Sequence, residues 1–312
     1  MQCIRDLDAD WAIIPKPVVT LGNYDGIHLG HQRILQRLRH AAGELDGSTV
    51  VVTFFPHPLK ILSPERAPRL IISIEERLRL LEVHGIDCVI CLRFTKEFSQ
   101  WSPERFVKEI IADKLQARTI FVGRDYRFGK DRKGDVPLLE RLGKKFGFDV
   151  QIIPPVTVES QEVSSTMIRQ LILEGNVKDS SKLLGRPHRI YGTIIPGKSR
   201  GKGLGFPTAN LDTTAELIPC SGVYAVRVGL GSEMHHGVAS LGTNPTFSGR
   251  LFSIEAYIID FNEDIYGKEM SLDFIDRIRH EEKFSSPETL VRQIQQDVSR
   301  AKKILENDDK ER

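Results

Sequence analysis

Apolar positions in the first half of the chain follow two alternating rhythms. "KPVVTLGNY" (16–24), "STVVVTFF" (48–55), "CVICLRF" (88–94), "TIFVG" (119–123) and "FDVQIIP" (148–154) are short apolar runs rich in β-branched residues, which predict buried strands. Between them the apolar period is helical. "LGHQRILQRLRHAAG" (29–43) gathers Ile34, Leu35, Leu38, Ala41 and Ala42 on one face, with Gly43 as the expected stop. "SIEERLRLLEVHG" opens on a capping box, Ser73 with Glu76, and closes on Gly85. "SPERFVKEIIADKL" offers Ser102 as cap and Pro103 at the first helical position, and "PLLERLGKKFG" supplies another helix. Strands alternating with helices of this length predict βαβ crossovers and a doubly wound parallel α/β sheet.

Near residue 185 the rhythm changes. "RIYGTII", "GVYAVRVG", "HHGVASLG", "FSIEAYIIDF" and "MSLDFIDRI" are short alternating runs separated by Gly, Pro, Asn and Asp, the pattern of an antiparallel barrel or sandwich. A last helix, "SPETLVRQIQQDVSRAKKIL", carries Leu290, Ile294, Val298 and Ala301 on one face. The expected organisation is a doubly wound domain over 1–185, then a small antiparallel β-barrel domain with a C-terminal helix over 186–312.

Composition narrows the class without naming a chemistry. The 312 residues are 40% hydrophobic and 28% charged, as in an ordinary globular protein. The longest apolar runs fall far short of the roughly 20 residues that span a bilayer. "MQCIRDLDADWAIIP" carries acids and no long apolar core, so no signal peptide is expected, and a cytoplasmic setting is. The four cysteines make no disulfide framework. Cys88 and Cys91 stand three apart on a predicted strand, hence on opposite faces, and are expected as buried thiols. A net charge of +2 is too weak to argue for nucleic acid.

Chemistry gathers at four segments. In "VVTLGNYDGIHLGHQRIL" (18–35) a strand runs through a turn containing Gly22 and Gly26 into a helix that opens with His28, Gly30 and His31. Ligands of open α/β sheets bind at the carboxyl ends of strands, and a helix N-terminus there attracts anions. The positive end of the helix dipole keeps both imidazoles neutral, which suits N–H donation to phosphate oxygens. A pair of solvated histidines and a zinc pair are the alternatives. "EVSSTMIRQLILEG" (162–175) brings Ser164, Ser165, Thr166 and Arg169 to a helix start, either a second anion clamp or an ordinary cap. "VGRDYRFGKDRKGD" (122–135) sets three glycines and eight charges around Tyr126 and Phe128, either a mobile loop over a polyanion with a planar ligand near or a solvated loop. "YGTIIPGKSRGKGLGFPTANL" (191–211) holds five glycines, among them Gly197, Gly201, Gly203 and Gly205, followed by Pro207, Thr208 and Asn210. Such a loop either wraps phosphate with backbone N–H groups or is merely a turn, and Thr208 and Asn210 offer neutral oxygens to Mg²⁺.

The H-x-G-H after a first strand resembles the signature of the nucleotidylyl-transferase superfamily. No K-M-S-K-S is present, which argues against the tRNA synthetases of that superfamily. "LGNYDGIHLGHQ", "FFPHP", "GRDYRFGKDRKGD" and "VSSTMIR" resemble the FMN adenylyltransferase domain. "GFPTANL", "GVYAVRV", "GTNPTF", "IEAYIIDF" and "DIYGKEMSLDFIDRIRHEEKFSS" resemble the riboflavin kinase domain. The order is that of the prokaryotic bifunctional riboflavin kinase/FAD synthetases.

That resemblance implies a Rossmann-like first domain, and ATP, riboflavin, FMN and FAD as substrates and products. It implies that His28 and His31 hold the ATP phosphates and that Asn23 and Asp25 shape the loop and its metal. Asp125, Ser164, Thr166 and Arg169 would complete the nucleotide and flavin clamp. Thr208 and Asn210 would ligate Mg²⁺, and Glu255 would be the general base toward riboflavin, although its alternation with Ile254 and Ala256 also fits a plain exposed carboxylate. Phe55, Met167, Lys198 and Tyr257 depart from the usual family pattern. The expected partners are small molecules only, without nucleic acid or membrane, in a monomer or weak homo-oligomer. The rivals are a nucleotidylyl transferase for another acceptor, with the barrel as specificity module, and a nucleic-acid-binding barrel on an inactive enzyme.

Overall fold

A computed structural model describes residues 1–5, 7, 11, 14–197, 205–242 and 253–311. The chain divides into two compact units, 1–69 with 73–164, and 165–312 with 70–72.

In the first unit six parallel strands form one sheet in the order β1-β4-β3-β2-β5-β6. They are β1 (Gln2–Ile4), β2 (Val18–Leu21), β3 (Thr49–Phe55), β4 (Cys88–Arg93), β5 (Thr119–Gly123) and β6 (Asp149–Ile153), and after them β7 (Thr157–Val158) and β8 (Gln161–Glu162) pair as a separate small ribbon. The doubly wound expectation is met, with one strand more than the apolar runs announced. β1 is only three residues long, too short for a periodic signal, and it pairs Cys3 with Val89 at the sheet edge. Val19, Val50, Val52, Ile90 and Ile120 are fully buried beneath Ile110 and Ile111. Cys88 and Cys91 are buried free thiols, and burial pushes Cys88 up to about 11.

Helix α1 (Leu29–Leu45) passes through Gly43 rather than stopping there. Asp46 takes the left-handed conformation instead, and Gly47 follows because a Cβ there would lie 2.4 Å from the Lys16 carbonyl. Helix α2 (Pro58–Leu62) follows β3. Helix α3 (Ile74–Val83) starts as predicted, with Ser73 Oγ accepting from the Glu76 N–H. A short turn, α4 (Lys96–Ser99), precedes α5 (Pro103–Phe106). The latter opens on Ser102 and Pro103 and then widens into a π-helix over Val107–Lys114, where the Leu115 N–H reaches the Ile110 carbonyl five residues back. Helix α6 (Val136–Phe146) is capped by Asp135.

The second unit begins with α7 (Ser165–Leu173) and α8 (Val177–Leu184). Six antiparallel strands then close a barrel in the order β10-β13-β12-β11-β14-β9. They are β9 (His188–Ile195), β10 (Thr208–Asp212), β11 (Gly222–Leu230), β12 (Glu233–Gly242), β13 (Ser253–Ile258) and β14 (Glu269–Arg279). β10 is the strand hidden in the sequence inside the glycine-rich stretch. Ile194, Ala209, Leu211, Tyr224, Val226, Ile254, Ala256, Leu272 and Phe274 fill the interior. A barrel of this size is a packed core, so any ligand must bind its outer face.

Helix α9 (Pro287–Glu311) covers part of that outer face, setting Ala301 and Leu305 on Val223, Ala225 and Ile275. The predicted apolar stripe is interrupted by a buried acid. Asp297 receives two nitrogens of Arg279, the closer at 2.8 Å, and Gln293 Nε2 at 3.0 Å. Arg227, buried on β11, is paired with Asp308 and Asp309 near the helix end. Removing one member of a buried pair leaves the other charge uncompensated. Asp297→Ala is therefore expected to lower unfolding stability by about 3–5 kcal/mol, read as a reduced denaturant midpoint. An unchanged midpoint would show that α9 is held by its apolar stripe alone.

Candidate active sites

The strand order fixes where the first site lies. The chain leaves β2 toward β3 and β4 on one side, then returns to place β5 and β6 on the other. The connections reverse between β2 and β5, and ligand crevices of such sheets open at that point, beyond the carboxyl ends of the strands. The loops emerging there are 22–28 and 124–135, two of the segments singled out in the sequence.

Loop 22–28 is not bare. Tyr24, Gly26 and Ile27 all have positive φ, at 52°, 87° and 39°, and Tyr24 and Ile27 are fully buried. Left-handed backbone at bulky residues is costly and persists only where packing enforces it. Here Tyr24 Oη lies 2.6 Å from Thr20 Oγ1, which donates to the Phe121 carbonyl at 2.7 Å. The turn is thereby bolted to β2 and β5. Asp25 and Gly26 lie buried in the same turn, and Gly22 leaves room for the Tyr24 ring. The Asn23 side-chain amide lies 3.1 Å from His57 Nε2, and His57 Nδ1 accepts from the Leu59 N–H.

His28 is the N-cap of α1, one residue earlier than a first-turn position, and its Nδ1 accepts from the His31 N–H at 3.4 Å. A neutral His28 therefore carries its proton on Nε2. The two imidazoles stack with centroids 3.7 Å apart, and His31 leans on Tyr24 at 4.8 Å. Gly30 permits this fold-back, because a Cβ there would lie 3.1 Å from His28 Cε1 and Nδ1. His31 Nδ1 is buried without a partner. Burial first, then His28 and Arg77, push the His31 imidazolium well below its ordinary range. The expected neutrality holds for His31, with desolvation rather than the helix dipole as the leading cause.

Asp125 is exposed on the turn after β5. The aromatic residues beside it pack on the core of the first unit. Phe128 is buried, and Tyr126 stacks on it at 5.6 Å. Loop 124–135 is pinned by the pairing of Phe128 with Gly134. Ser164 ends the first unit, while Ser165, Thr166 and Arg169 occupy the first turns of α7.

On the barrel, alternation separates core from chemistry. Ala209 and Leu211 of β10, and Ile254, Ala256 and Ile258 of β13, point inward. Thr208, Asn210, Glu255 and Tyr257 therefore share the outer face, where Asn210 stands opposite Glu255 and Thr208 opposite Tyr257. Thr208 Oγ1 donates to Glu255 Oε2 at 3.3 Å, leaving the hydroxyl lone pairs for another partner. A Cβ at Gly197 would lie 1.9 Å from Asn210 Nδ2, so this glycine is the space the amide occupies. Gly205 has φ 85°, Pro207 follows it, and Phe206 meets the Tyr257 ring edge-on at 5.3 Å. Gly201, Gly203 and Lys198 lie outside the described residues. A hydroxyl, an amide oxygen and a carboxylate on adjacent strands are the hard oxygen donors that suit Mg²⁺ with water and phosphate completing its shell. Sequence reasoning missed that Thr208 and Asn210 lie on a strand, although the T-A-N-L alternation carried the signal.

Comparison with known proteins matches residues 12–167 to the FAD synthetase family and residues 184–305 to the riboflavin kinase family. The bifunctional riboflavin kinase/FMN adenylyltransferase of Haemophilus influenzae is 35% identical over 97% of this chain and 98% of its own. The protein of that description from Listeria monocytogenes is 38% identical over 92% of each chain. A crystal structure from Streptococcus pneumoniae, described as a macrolide-efflux protein, superposes with a TM-score of 0.89 at 35% identity, covering 97% of this chain and 99% of that one.

The depressed His31 ionisation has a consequence for stability. Below the unfolded-state value of about 6.5 the unfolded chain takes up a proton that the folded protein resists, so stability falls as pH drops from there. The slope from this residue is at most about 1.4 kcal/mol per pH unit. His31→Asn is expected to flatten the pH dependence of the melting temperature between about pH 6.5 and 5. A variant curve parallel to wild type would place the acid sensitivity elsewhere.

Proposed function

The chain belongs to the bifunctional riboflavin kinase/FMN adenylyltransferase family, and from that premise we propose which residues carry each of its two activities. It is an enzyme of flavin-cofactor biosynthesis. ATP phosphorylates riboflavin to FMN, and a second ATP adenylylates FMN to FAD with release of pyrophosphate. The efflux description of the Streptococcus pneumoniae protein is not carried over, because both family matches and the curated relatives agree on flavin chemistry.

The observation that carries the allocation is the stacked His28–His31 pair at the crevice between β2 and β5. In adenylyl transfer an FMN phosphate oxygen attacks the α-phosphorus of ATP as the bond to pyrophosphate breaks, and negative charge builds on the phosphoryl oxygens. Two neutral imidazoles can donate to those oxygens without losing a proton. Their mutual stacking holds them in place beforehand, which is the condition for electrostatic stabilisation of a transition state. Asn23, Asp25 and the glycines of loop 22–28 shape the phosphate seat. Asp125 acts from the loop after β5, and Ser164, Ser165, Thr166 and Arg169 bind nucleotide at the start of α7.

The kinase site is assigned to the outer face of the barrel. Glu255 takes the proton of the riboflavin 5′-hydroxyl as that oxygen attacks the γ-phosphorus of the other ATP and ADP leaves. Thr208 orients the carboxylate by donating to it. Thr208 and Asn210 would hold Mg²⁺, which supplies charge neutralisation for the transferring phosphoryl group. Gly197, Gly201, Gly203, Gly205 and Pro207 are assigned to phosphate binding. Adenylyl transfer is allocated to residues 1–185 and phosphorylation to 186–312. Among the described residues no helix is long and apolar enough to cross a membrane. The proposed setting is cytoplasmic, acting on small molecules without nucleic acid, as a monomer or weak homo-oligomer.

His28→Ala or His31→Ala is expected to cut FMN-to-FAD conversion by roughly 10²–10³ while riboflavin-to-FMN conversion persists, measured by chromatography of the flavins. Normal FAD synthesis by both variants would remove the pair from the site. Gly197→Ala displaces the Asn210 amide and is expected to lower riboflavin phosphorylation by about 10- to 100-fold. Asn210→Ala is expected to lose that activity and regain part of it at high Mg²⁺. Kinase kinetics indifferent to both substitutions would show that Asn210 holds no metal.

A further inference from the structure

Arg77 is the largest fully buried side chain among the described residues, with 1% of its surface exposed. It stands on the first turns of α3 and is linked through Thr53 to the loop that carries Asn23 and Asp25. One nitrogen, Nη1, donates to Thr53 Oγ1 at 3.4 Å, and Thr53 Oγ1 in turn donates to the Asn23 carbonyl at 3.3 Å. Its Nε is buried with no partner. No carboxylate among the described residues comes within ion-pair distance of it. The opposite charge that acts on it most strongly is the buried Asp25, through space, and it acts likewise on His31.

For stability alone this is a poor arrangement. A guanidinium has five N–H donors, and a buried one normally meets a carboxylate in a bidentate pair. An apolar side chain of the same volume would serve the core as well or better. What the arrangement does supply is a standing positive charge directly behind the turn where the phosphates of ATP and FMN are proposed to sit. In a site of low dielectric such a charge acts over several ångströms without contact.

We propose that Arg77 is a positioning residue for adenylyl transfer, fixing the Asn23 end of the phosphate loop through Thr53 and setting a permanent positive charge behind the His28–His31 pair. It touches neither substrate. The proposal rests on the assignment of His28 and His31 to the phosphates. It adds that the seat they face is polarised from beneath.

Arg77→Met removes the charge and keeps most of the volume. The melting temperature is expected to stay level or rise, whereas kcat for FMN-to-FAD conversion is expected to fall about 10- to 100-fold with little change in KM for FMN. Riboflavin phosphorylation in the same sample is expected to be unchanged. Arg77→Lys restores the charge and is expected to recover most of the turnover. Thr53→Val cuts only the relay and is expected to cost about 3- to 10-fold, and it carries the test if Arg77→Met fails to fold. A folded Arg77→Met enzyme turning over within twofold of wild type would overturn the proposal, as would a Thr53→Val enzyme with wild-type kcat if the Met variant does not fold. The assignment beneath it is tested separately. If His28→Ala and His31→Ala abolish FAD synthesis while Arg77→Met does not, only the role of Arg77 fails.

Discussion

A β-carbon at residue 30 would lie 3.1 Å from two atoms of the His28 ring, and one at residue 197 would lie 1.9 Å from Asn210 Nδ2. The room that these two glycines leave is what each site is built into. At the first site it lets an imidazole turn back over a helix start, cap it, and stack on a second imidazole. At the second it lets an amide stand beside the strand that carries Glu255. Neither glycine has a positive φ, so their role is clearance rather than backbone freedom.

The two proposed sites are built in different ways. The one assigned to adenylyl transfer rests on buried, strained backbone at a helix start, with Tyr24 and Ile27 held left-handed by packing. Its groups are preorganised because the core beneath them cannot rearrange cheaply. The barrel site uses the regular alternation of two paired strands, where each inward residue seals the core and each outward one is available for chemistry. Phe55 and Tyr257 fall on opposite sides of this contrast. Phe55 ends β3 with 43% of its surface exposed, whereas Tyr257 is edge-packed on Phe206 beside Thr208.

The sequence was legible where local rules suffice. The long apolar runs of β3 and β4, the caps at Ser73 and Ser102, and the H-x-G-H after β2 all register within a window of a dozen residues. What was not legible depends on distant partners. β1 is a strand only because β4 lies beside it. Gly43 looks like a helix stop until Gly47 is seen pressed against the Lys16 carbonyl. Loop composition does not reveal that Phe128 turns inward with Tyr126 stacked on it. Arg77 and Asp297 sit on predicted helices among other charged residues, and nothing in helical period marks one arginine or one aspartate as buried.

The edge strand β1 also bears on how the protein is made. Residues 2–4 leave the ribosome long before residues 88–93, the strand they pair with. Until β4 has been synthesised, the first segment has no neighbour in the sheet, because β2 and β3 pair elsewhere. The amino terminus must remain uncommitted through that interval and dock last on this edge, where the Met1 ammonium meets Glu82 at 3.1 Å. Translation order and sheet order thus run in opposite senses at this border, and β3 stays unpaired on this side until the fourth strand emerges.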